Sequence, residues 1–227
     1  KNMILLKSME KKNIRSFNYN IPSDISSSAF FIVLVALSRN SKLKIKNVNI
    51  NPTRIGILKI LKKMGVNIKL SNYKIYKGEK IADLTIISNN SLKAINCPSS
   101  MNSAAIDEFL LIFLVAAKAK GVSYFKNLSE LNQKESPRLY WGAQILTKMG
   151  VKNVLKKDSI KIYGNPKLKI EKKITIKKFL KDHRVFMTSV IAALTFGGKW
   201  TIYDKDSVKT SFPTFIAKIK SLGGRLS

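Results

Sequence analysis

The chain of 227 residues is 45% hydrophobic, which is enough to bury one substantial core and excludes an intrinsically disordered protein. Its longest apolar run, residues 109–117, is far shorter than the roughly 20 residues of a membrane-spanning helix, so no membrane contact is expected. One cysteine, Cys97, and one histidine, His183, exclude internal disulfides and zinc sites built from these residues. The composition predicts a cytoplasmic protein.

The net charge of +29 arises from 42 basic and 13 acidic residues. It is compatible with a basic, non-catalytic nucleic-acid-binding module. Only six of the basic residues are arginines, however, and the lysines are spread among many Asn and Ile residues, which indicates compositional drift. No zinc finger, basic tail or basic strand with interleaved aromatics concentrates the charge, so nucleic acid is not the favoured partner.

Residues 1–20 precede the regular part of the sequence. Met3, Leu5, Leu6 and Met9 follow a helical spacing, which predicts a helix and then the start of a strand. Because this stretch has no counterpart later in the chain, and the chain begins on Lys1, we expect it to be the tail of a preceding domain of a longer protein.

Three repeats follow, at about 21–90, 91–165 and 166–227. In the first repeat the sequence predicts helices at 26–38 and 54–64, strands at 43–48 and 66–70, and further β segments at 74–76 and 84–88. In the second it predicts helices at 107–120 and 136–149, strands at 123–126 and 151–155, and a hairpin-like stretch at 159–163. In the third it predicts helices at 183–196 and 212–222 and a strand at 199–203.

Each repeat runs from an acidic residue to a glycine. The pairs Asp24 to Gly65, Asp107 to Gly150 and Asp182 to Gly223 are 41, 43 and 41 positions apart, which indicates one structural unit used three times. The first helix of each unit is almost wholly apolar, and a helix without a polar face is buried on all sides. The predicted fold is therefore α/β with the helices inside and the sheets outside.

The loop before the second helix of repeat two carries charges of both signs close to a helix start. Lys134 and Glu135 precede Ser136, a candidate N-cap, and Pro137 and Arg138 would open the helix. A cation, a carboxylate and a guanidinium at a helix start can form an anion site with an acid or base beside it. The alternative is a solvated charge run.

Two further helix starts carry charges. Asp182, His183 and Arg184 form either a second anion-binding start or an N-cap followed by an exposed arginine. Asp107 either caps its helix or faces the junction of the repeats. In a chain where lysine is the common cation, a retained arginine indicates a site that needs a planar, bidentate donor. Arg54, Arg138 and Arg184 lie at matching places near helix starts in the three repeats.

Taken together, these motifs resemble the 5-enolpyruvylshikimate-3-phosphate synthase family (3-phosphoshikimate 1-carboxyvinyltransferase). The resemblance covers residue 21 onward and about the second half of a family member. The motifs that carry it are the stretches 23–31, 51–56, 106–109, 134–138, 182–184 and 206–213. It implies an enolpyruvyl transferase-like domain of three β/α units with buried helices and outer sheets.

The same resemblance implies a transferase. The family transfers the enolpyruvyl group of phosphoenolpyruvate to the 5-hydroxyl of shikimate 3-phosphate and releases phosphate, a step in chorismate and aromatic amino acid biosynthesis that uses no metal or organic cofactor. The implied partners are these two substrates and the family's N-terminal domain, in an enzyme that is monomeric at full length.

Residue roles follow from the resemblance as well. It implies that Asp107 binds the shikimate ring and takes the proton of the attacking hydroxyl, and that Glu135 transfers a proton at the methylene carbon. It implies that Lys134 contacts both substrates and that Arg138 and Arg184 clamp phosphoenolpyruvate. We expect these five residues to converge on one concave face.

Two departures from the family pattern limit these expectations. Pro137 stands where the family usually has an aspartate that could orient Arg138. The family's first-domain motifs for shikimate 3-phosphate have no counterpart in the chain, so we expect half an active site that is inactive alone. The alternative within the same fold is UDP-N-acetylglucosamine enolpyruvyl transferase, which does not share these motifs in these contexts.

Overall fold

The computed structural model describes residues 3–7, 16–88 and 91–226. The α-helices in this part of the chain are α1 (Ile25–Leu37), α2 (Gly56–Lys63), α3 (Phe109–Lys118), α4 (Arg138–Lys148), α5 (His183–Phe196) and α6 (Phe215–Ser221). The strands are β1 (Lys42–Asn49), β2 (Asn67–Tyr76), β3 (Glu79–Ile87), β4 (Gly121–Phe125), β5 (Asn153–Leu155), β6 (Ile160–Gly164), β7 (Ile170–Ile176) and β8 (Gly197–Ile202). Short 3-10 helices lie at Ser99–Met101, Ser103–Glu108, Ser129–Gln133 and Lys205–Thr210.

The core is formed by α1, α3 and α5, which contact one another pairwise. Every residue of α3 from Phe109 to Ala117 is buried, and α1 and α5 are buried along most of their length. Since hydrophobic side chains surround each of these helices, burial against two neighbours and a sheet removes all of them from water. The predicted arrangement of buried helices and outer strands is confirmed.

The sheets lie outside this core and follow the repeats. In repeat one the strand order is β1-β3-β2 and in repeat two it is β4-β6-β5, and both sheets are antiparallel. In repeat three β7 pairs in parallel with β8 across α5. Isolated parallel bridges from Ser23 to Val48 and from Asn96 to Tyr124 make the same strand–helix–strand connection in the first two repeats.

The glycine at the end of each repeat has a defined structural role. Gly65, Gly150 and Gly223 have φ of +89°, +82° and +89°, a left-handed conformation that glycine adopts without steric cost. The residue after Gly65 donates its N–H to the carbonyl of Leu61 at 2.9 Å, which ends α2 in a Schellman motif. Equivalent bonds follow Gly150 and Gly223, so the repeated glycine marks a repeated helix end.

Several predicted elements differ from the structure. Residues 3–7 and 16–20 form neither helix nor strand, and the rest of the helix predicted within residues 1–20 lies outside the described residues. The helix predicted from Asp107 begins only at Phe109, because residues 103–108 form a 3-10 helix. Strand β7 was not predicted. No helix in the described ranges is long and apolar enough to cross a bilayer.

Candidate functional site

The starts of the three core helices meet at one end of the molecule. In the first turn of α1 the hydroxyl of Ser26 donates to Oε1 of Glu108, just before α3, at 2.6 Å. In the first turn of α5 the Nη1 atom of Arg184 donates to the carbonyl oxygen of Asp107 at 2.9 Å. Helix starts carry partial positive charge and unpaired N–H groups, so three adjacent starts favour anions between them.

Arg138 lies at the centre of this end and binds three carboxylates. Its Nε donates to Oδ2 of Asp182 at 2.9 Å, its Nη1 to Oδ1 of Asp107 at 3.2 Å, and its Nη2 to Glu135. Only 2% of the Arg138 side chain is exposed. A guanidinium can serve three partners in fixed directions, which an ammonium group cannot, and this explains an arginine in a lysine-rich chain.

Asp182 supplies the carboxylate that Pro137 does not. It is fully buried, it caps α5 by accepting the N–H of Arg184 at 2.8 Å, and it accepts the hydroxyl of Ser136 at 2.8 Å. The prediction that Ser136 caps α4 is therefore wrong, since Pro137 occupies the cap position and no side chain caps that helix. Burial raises the pKa of Asp182, but the hydrogen bond and charge of Arg138 bring it below its ordinary value.

Asp107 faces cations rather than its own helix. Its Oδ1 lies 3.6 Å from Nζ of Lys134, its Oδ2 lies 3.9 Å from Nη2 of Arg184, and no side chain caps α3. The capping interpretation of Asp107 is wrong for this reason. Burial raises the pKa of Asp107, but Arg184, Lys134 and Arg138 outweigh that effect and hold it below its ordinary value. The carboxylate is ionised at neutral pH.

Arg184 is not the exposed arginine of the alternative interpretation, because only 13% of its side chain is accessible. Its guanidinium lies between Asp107 and Oε1 of Glu108, 3.6 Å from the latter. Arg184 therefore joins the start of α5 to the segment that precedes α3.

Glu135 is exposed to solvent, and the partly buried His183 lies beside it. The Glu135 side chain is 52% exposed, and its Oε1 is 4.0 Å from Nδ1 of His183. Burial and the nearby Arg184 lower the pKa of His183, so the imidazole is neutral at pH 7. Of the three carboxylates that Arg138 binds, Glu135 is thus the one that a bound molecule reaches first.

The sequence did not identify Ser26 or Glu108 as members of this group, and it gave Asp182 as part of an anion-binding helix start or as an N-cap, not as the partner of Arg138. Arg54 donates from Nη2 to the Ser26 hydroxyl at 3.1 Å and so extends the group to the loop before α2. Burial raises the pKa of Glu108, beyond the lowering caused by Ser26 and Arg184. Two features of the sequence indicate this part of the group. Glu108 directly follows Asp107, and Arg54 lies near a helix start at the place that matches Arg138 and Arg184.

We call this group the helix-start cluster. It contains the cations Arg54, Lys134, Arg138 and Arg184 and the carboxylates of Asp107, Glu108, Glu135 and Asp182. The predicted convergence of Asp107, Lys134, Glu135, Arg138 and Arg184 is confirmed, although Arg184 and Asp107 are 77 positions apart. That the shared face is concave stays a prediction. Glu130 also lies 3.2 Å from Nζ of Lys134, so each cation of the cluster except Arg54 already faces at least one carboxylate, and an incoming anion must displace a carboxylate or meet further cations.

Comparison with known proteins gives a consistent picture. The profile of the family described as EPSP synthase (3-phosphoshikimate 1-carboxyvinyltransferase) matches residues 1–219. The chain is 41% identical over 214 residues to the 3-phosphoshikimate 1-carboxyvinyltransferase of Ruthia magnifica subsp. Calyptogena magnifica, covering 92% of this chain and 47% of that relative. For the enzyme of the same name from Petrotoga mobilis the identity is 37%, with 93% and 49% covered. The chain spans about half the length of the curated relatives it matches.

The comparison with solved structures agrees with the family match. An EPSP synthase from Acinetobacter baumannii superposes with a TM-score of 0.83 at 38% sequence identity, covering 88% of this chain and 46% of that chain. The enolpyruvyl transferase NikO from Streptomyces tendae superposes with a TM-score of 0.64 at 14% identity, which is a likeness of fold alone.

Proposed function

Because the chain belongs to the EPSP synthase family, we propose that its helix-start cluster takes part in transferring the enolpyruvyl group of phosphoenolpyruvate to the 5-hydroxyl of shikimate 3-phosphate, with release of phosphate. The observation that carries the proposal is the convergence of Asp107, Lys134, Glu135, Arg138 and Arg184 at three adjacent helix starts. This transfer needs a base for the hydroxyl, an acid for the methylene carbon and fixed cations for two anionic substrates.

In this proposal the two acids of the site have separate tasks. Asp107, ionised beside Arg184, accepts the proton of the attacking 5-hydroxyl as the new C–O bond forms. Glu135 takes a proton from solvent and gives it to the methylene carbon, which becomes a methyl group. Phosphate then leaves as one methyl proton returns to Glu135, which regenerates the double bond, and Asp107 gives its proton to the departing phosphate. The different surroundings of the two carboxyls support this division.

The cations hold the donor. Lys134 and Arg184 lie near different oxygen atoms of Asp107, and the guanidinium of Arg138 can donate to the carboxylate of phosphoenolpyruvate. Since Arg138 is occupied by Glu135 in the structure, we propose that the donor replaces Glu135 on the Nη2 atom. Glu135 then becomes free to reach the methylene carbon, so binding of the donor prepares the proton transfer.

Residues 21–227 would act as one enolpyruvyl transferase-type domain of three repeats. The cations of its helix-start cluster are already paired with carboxylates, so the additional cations for two polyanions would come from a second domain like the other half of the relatives. We propose that the assembled enzyme works as a monomer in the cytoplasm, without a metal or organic cofactor. The 227-residue chain alone would bind phosphoenolpyruvate weakly and would not turn over.

Phosphate release that depends on shikimate 3-phosphate tests the proposal. We expect no release by the chain alone, and release after addition of the N-terminal half of the Ruthia magnifica relative, with Asp107→Asn lowering the rate of that complex by orders of magnitude. Robust release by the chain alone would contradict the half-site. If the halves dock, as shown by sedimentation, and still release no phosphate, the proposed activity is wrong.

A further inference from the structure

The opposite end of the helix core is organised around one lysine. Lys118 is the last residue of α3, and its Nζ donates to the carbonyl oxygen of Leu37, the last residue of α1, at 3.2 Å. The same atom lies 5.6 Å from the ring centre of Phe196, the last residue of α5. The ends of the three core helices therefore meet at Lys118, far along the helices from the helix-start cluster.

A cavity of about 370 Å³ opens beside this lysine. Ser38, Arg39 and Asn40, where the chain leaves α1, line it together with Lys118. None of the lining residues is acidic. The volume is within the range of small-molecule sites. We call this cavity the Lys118 pocket.

The two cations of the Lys118 pocket are unpaired in the described part of the chain, where neither Lys118 nor Arg39 forms an ion pair with a carboxylate. Burial of the half-buried Lys118, together with repulsion from Arg39, lowers the pKa of its ammonium group. Lys118 is partly buried and Arg39 is exposed, and an anion bound between them would offset both their repulsion and the partial desolvation of Lys118.

Helix capping accounts for only part of this arrangement. An ammonium group has three donors, and the bond to Leu37 uses one of them. Capping also needs no second cation in the lining, where Arg39 lies. The remaining donors of Lys118 and the guanidinium of Arg39 border the same open space.

We propose that the Lys118 pocket binds a small oxyanion, the phosphate or carboxylate group of a small molecule, between Lys118 and Arg39. The site is separate from the helix-start cluster and does not depend on the function proposed for that cluster. The partial negative charge of the helix ends opposes the anion, so the affinity is modest, with a dissociation constant on the order of 1 mM.

Amide NMR of the full 227-residue chain tests this site. Inorganic phosphate and, in a second titration, acetate are added at constant ionic strength. We expect saturable shifts at the amides of Ser38, Arg39 and Asn40. Lys118→Gln, which keeps a donor for Leu37, and Arg39→Gln, which lies on the surface, should each raise the dissociation constant about tenfold, since each removes a charge-assisted hydrogen bond.

Lys120→Gln is the matched control. Lys120 is exposed, lies two positions from Lys118 and does not line the pocket, so this variant should bind as the wild type does. Shifts near Arg184 report binding at the helix-start cluster and should persist in Lys118→Gln. A response to both anions supports a general oxyanion site, and a response to one supports a site for that group. Linear, unsaturated shifts, or equal losses in Lys118→Gln and Lys120→Gln, would overturn the proposal.

Discussion

Asp83 and Asp182 are both buried carboxylates, but they serve different structures. In strand β3, Asp83 accepts the N–H of Asn47 at 3.0 Å and the side-chain amide of Asn72 at 2.8 Å, and Lys44 lies 3.0 Å away. Asn47 and Asn72 have φ of 52° and 53°, where bulges shift the register of β1 and β2. Asp83 thus holds two bulges of one sheet in place.

Asp182 instead binds a guanidinium that is shared with other acids. Arg138 contacts Asp182, Asp107 and Glu135, which belong to different parts of the chain. Lys44 is 44% exposed, whereas Arg138 is 2% exposed. Because Asp83 is satisfied by fixed amides, its role is local. Because Arg138 is shared, a ligand can take one partner's place while the others hold it, which is what a binding site needs.

The largest expected effect comes from the most exposed partner of Arg138. In an active complex with an N-terminal half, Glu135→Gln should lower kcat by about 10²- to 10⁴-fold, because a positioned acid is lost. Stability should change little, since this side chain is 52% exposed. Glu171→Gln, at a carboxylate that is 79% exposed in β7, is the control. An equal rate for Glu135→Gln and the control would mean that Glu135 is only a structural partner of Arg138.

The second effect breaks the buried pair itself. Asp182→Ala should lower the free energy of unfolding by about 3–5 kcal/mol, because Arg138 keeps a buried charge without its main partner and α5 loses its cap. Asp206→Ala removes an ion pair that is mostly exposed and should change stability by less than about 1 kcal/mol. Urea unfolding measures both. If both variants change stability by less than about 1 kcal/mol, Asp182 contributes no more to stability than a solvent-exposed ion pair does.

The sequence predicted the repeated parts of the molecule well. Helix α5 was predicted with the observed bounds, because an aspartate cap and a glycine delimit an apolar run. Strand β7 was missed, since Ile170 and Ile174 are buried with three exposed residues between them and a register shift interrupts the alternation.

The site was predicted in its residues but not in its contacts. Charged helix starts identified Asp107, Arg138 and Arg184, because a repeat places equivalent positions together. The pairing of Arg138 with Asp182 joins positions 44 residues apart and depends on how α4 approaches α5, which no local pattern encodes. The net charge was no guide, because most lysines contribute only to the solvated surface.

Asp83→Asn should have a smaller and pH-dependent effect. Backbone and side-chain amides from Asn47 and Asn72 lower the pKa of Asp83 from 3.8 to about 2. Because the pKa of Asp83 is lower in the folded chain than in the unfolded chain, the ionised carboxylate stabilises the fold above pH 3.8. This stabilisation is lost as the pH falls towards 2. The wild type should therefore exceed Asp83→Asn in unfolding free energy at pH 5.5, and the difference should shrink by pH 3. A difference that stays constant over this range would contradict the role of the ionised form.

The smallest effect is expected at Pro137, where the family pattern has an acid. Pro137 has a φ of −69°, which suits proline, so Pro137→Asp should lower the free energy of unfolding by about 0.4–1 kcal/mol through the lost rigidity of the ring. The new carboxylate should cap α4 and raise that free energy by about 1 kcal/mol. Since Asp182 already orients Arg138, nothing further is gained, and Tm should stay within about 3 °C of the wild type. Pro137→Ala loses the rigidity without the cap and should lie lower, which separates the two contributions by thermal circular dichroism. A rise in Tm of more than about 5 °C for Pro137→Asp would show that Arg138 lacks an orienting carboxylate and that Asp182 is not its replacement.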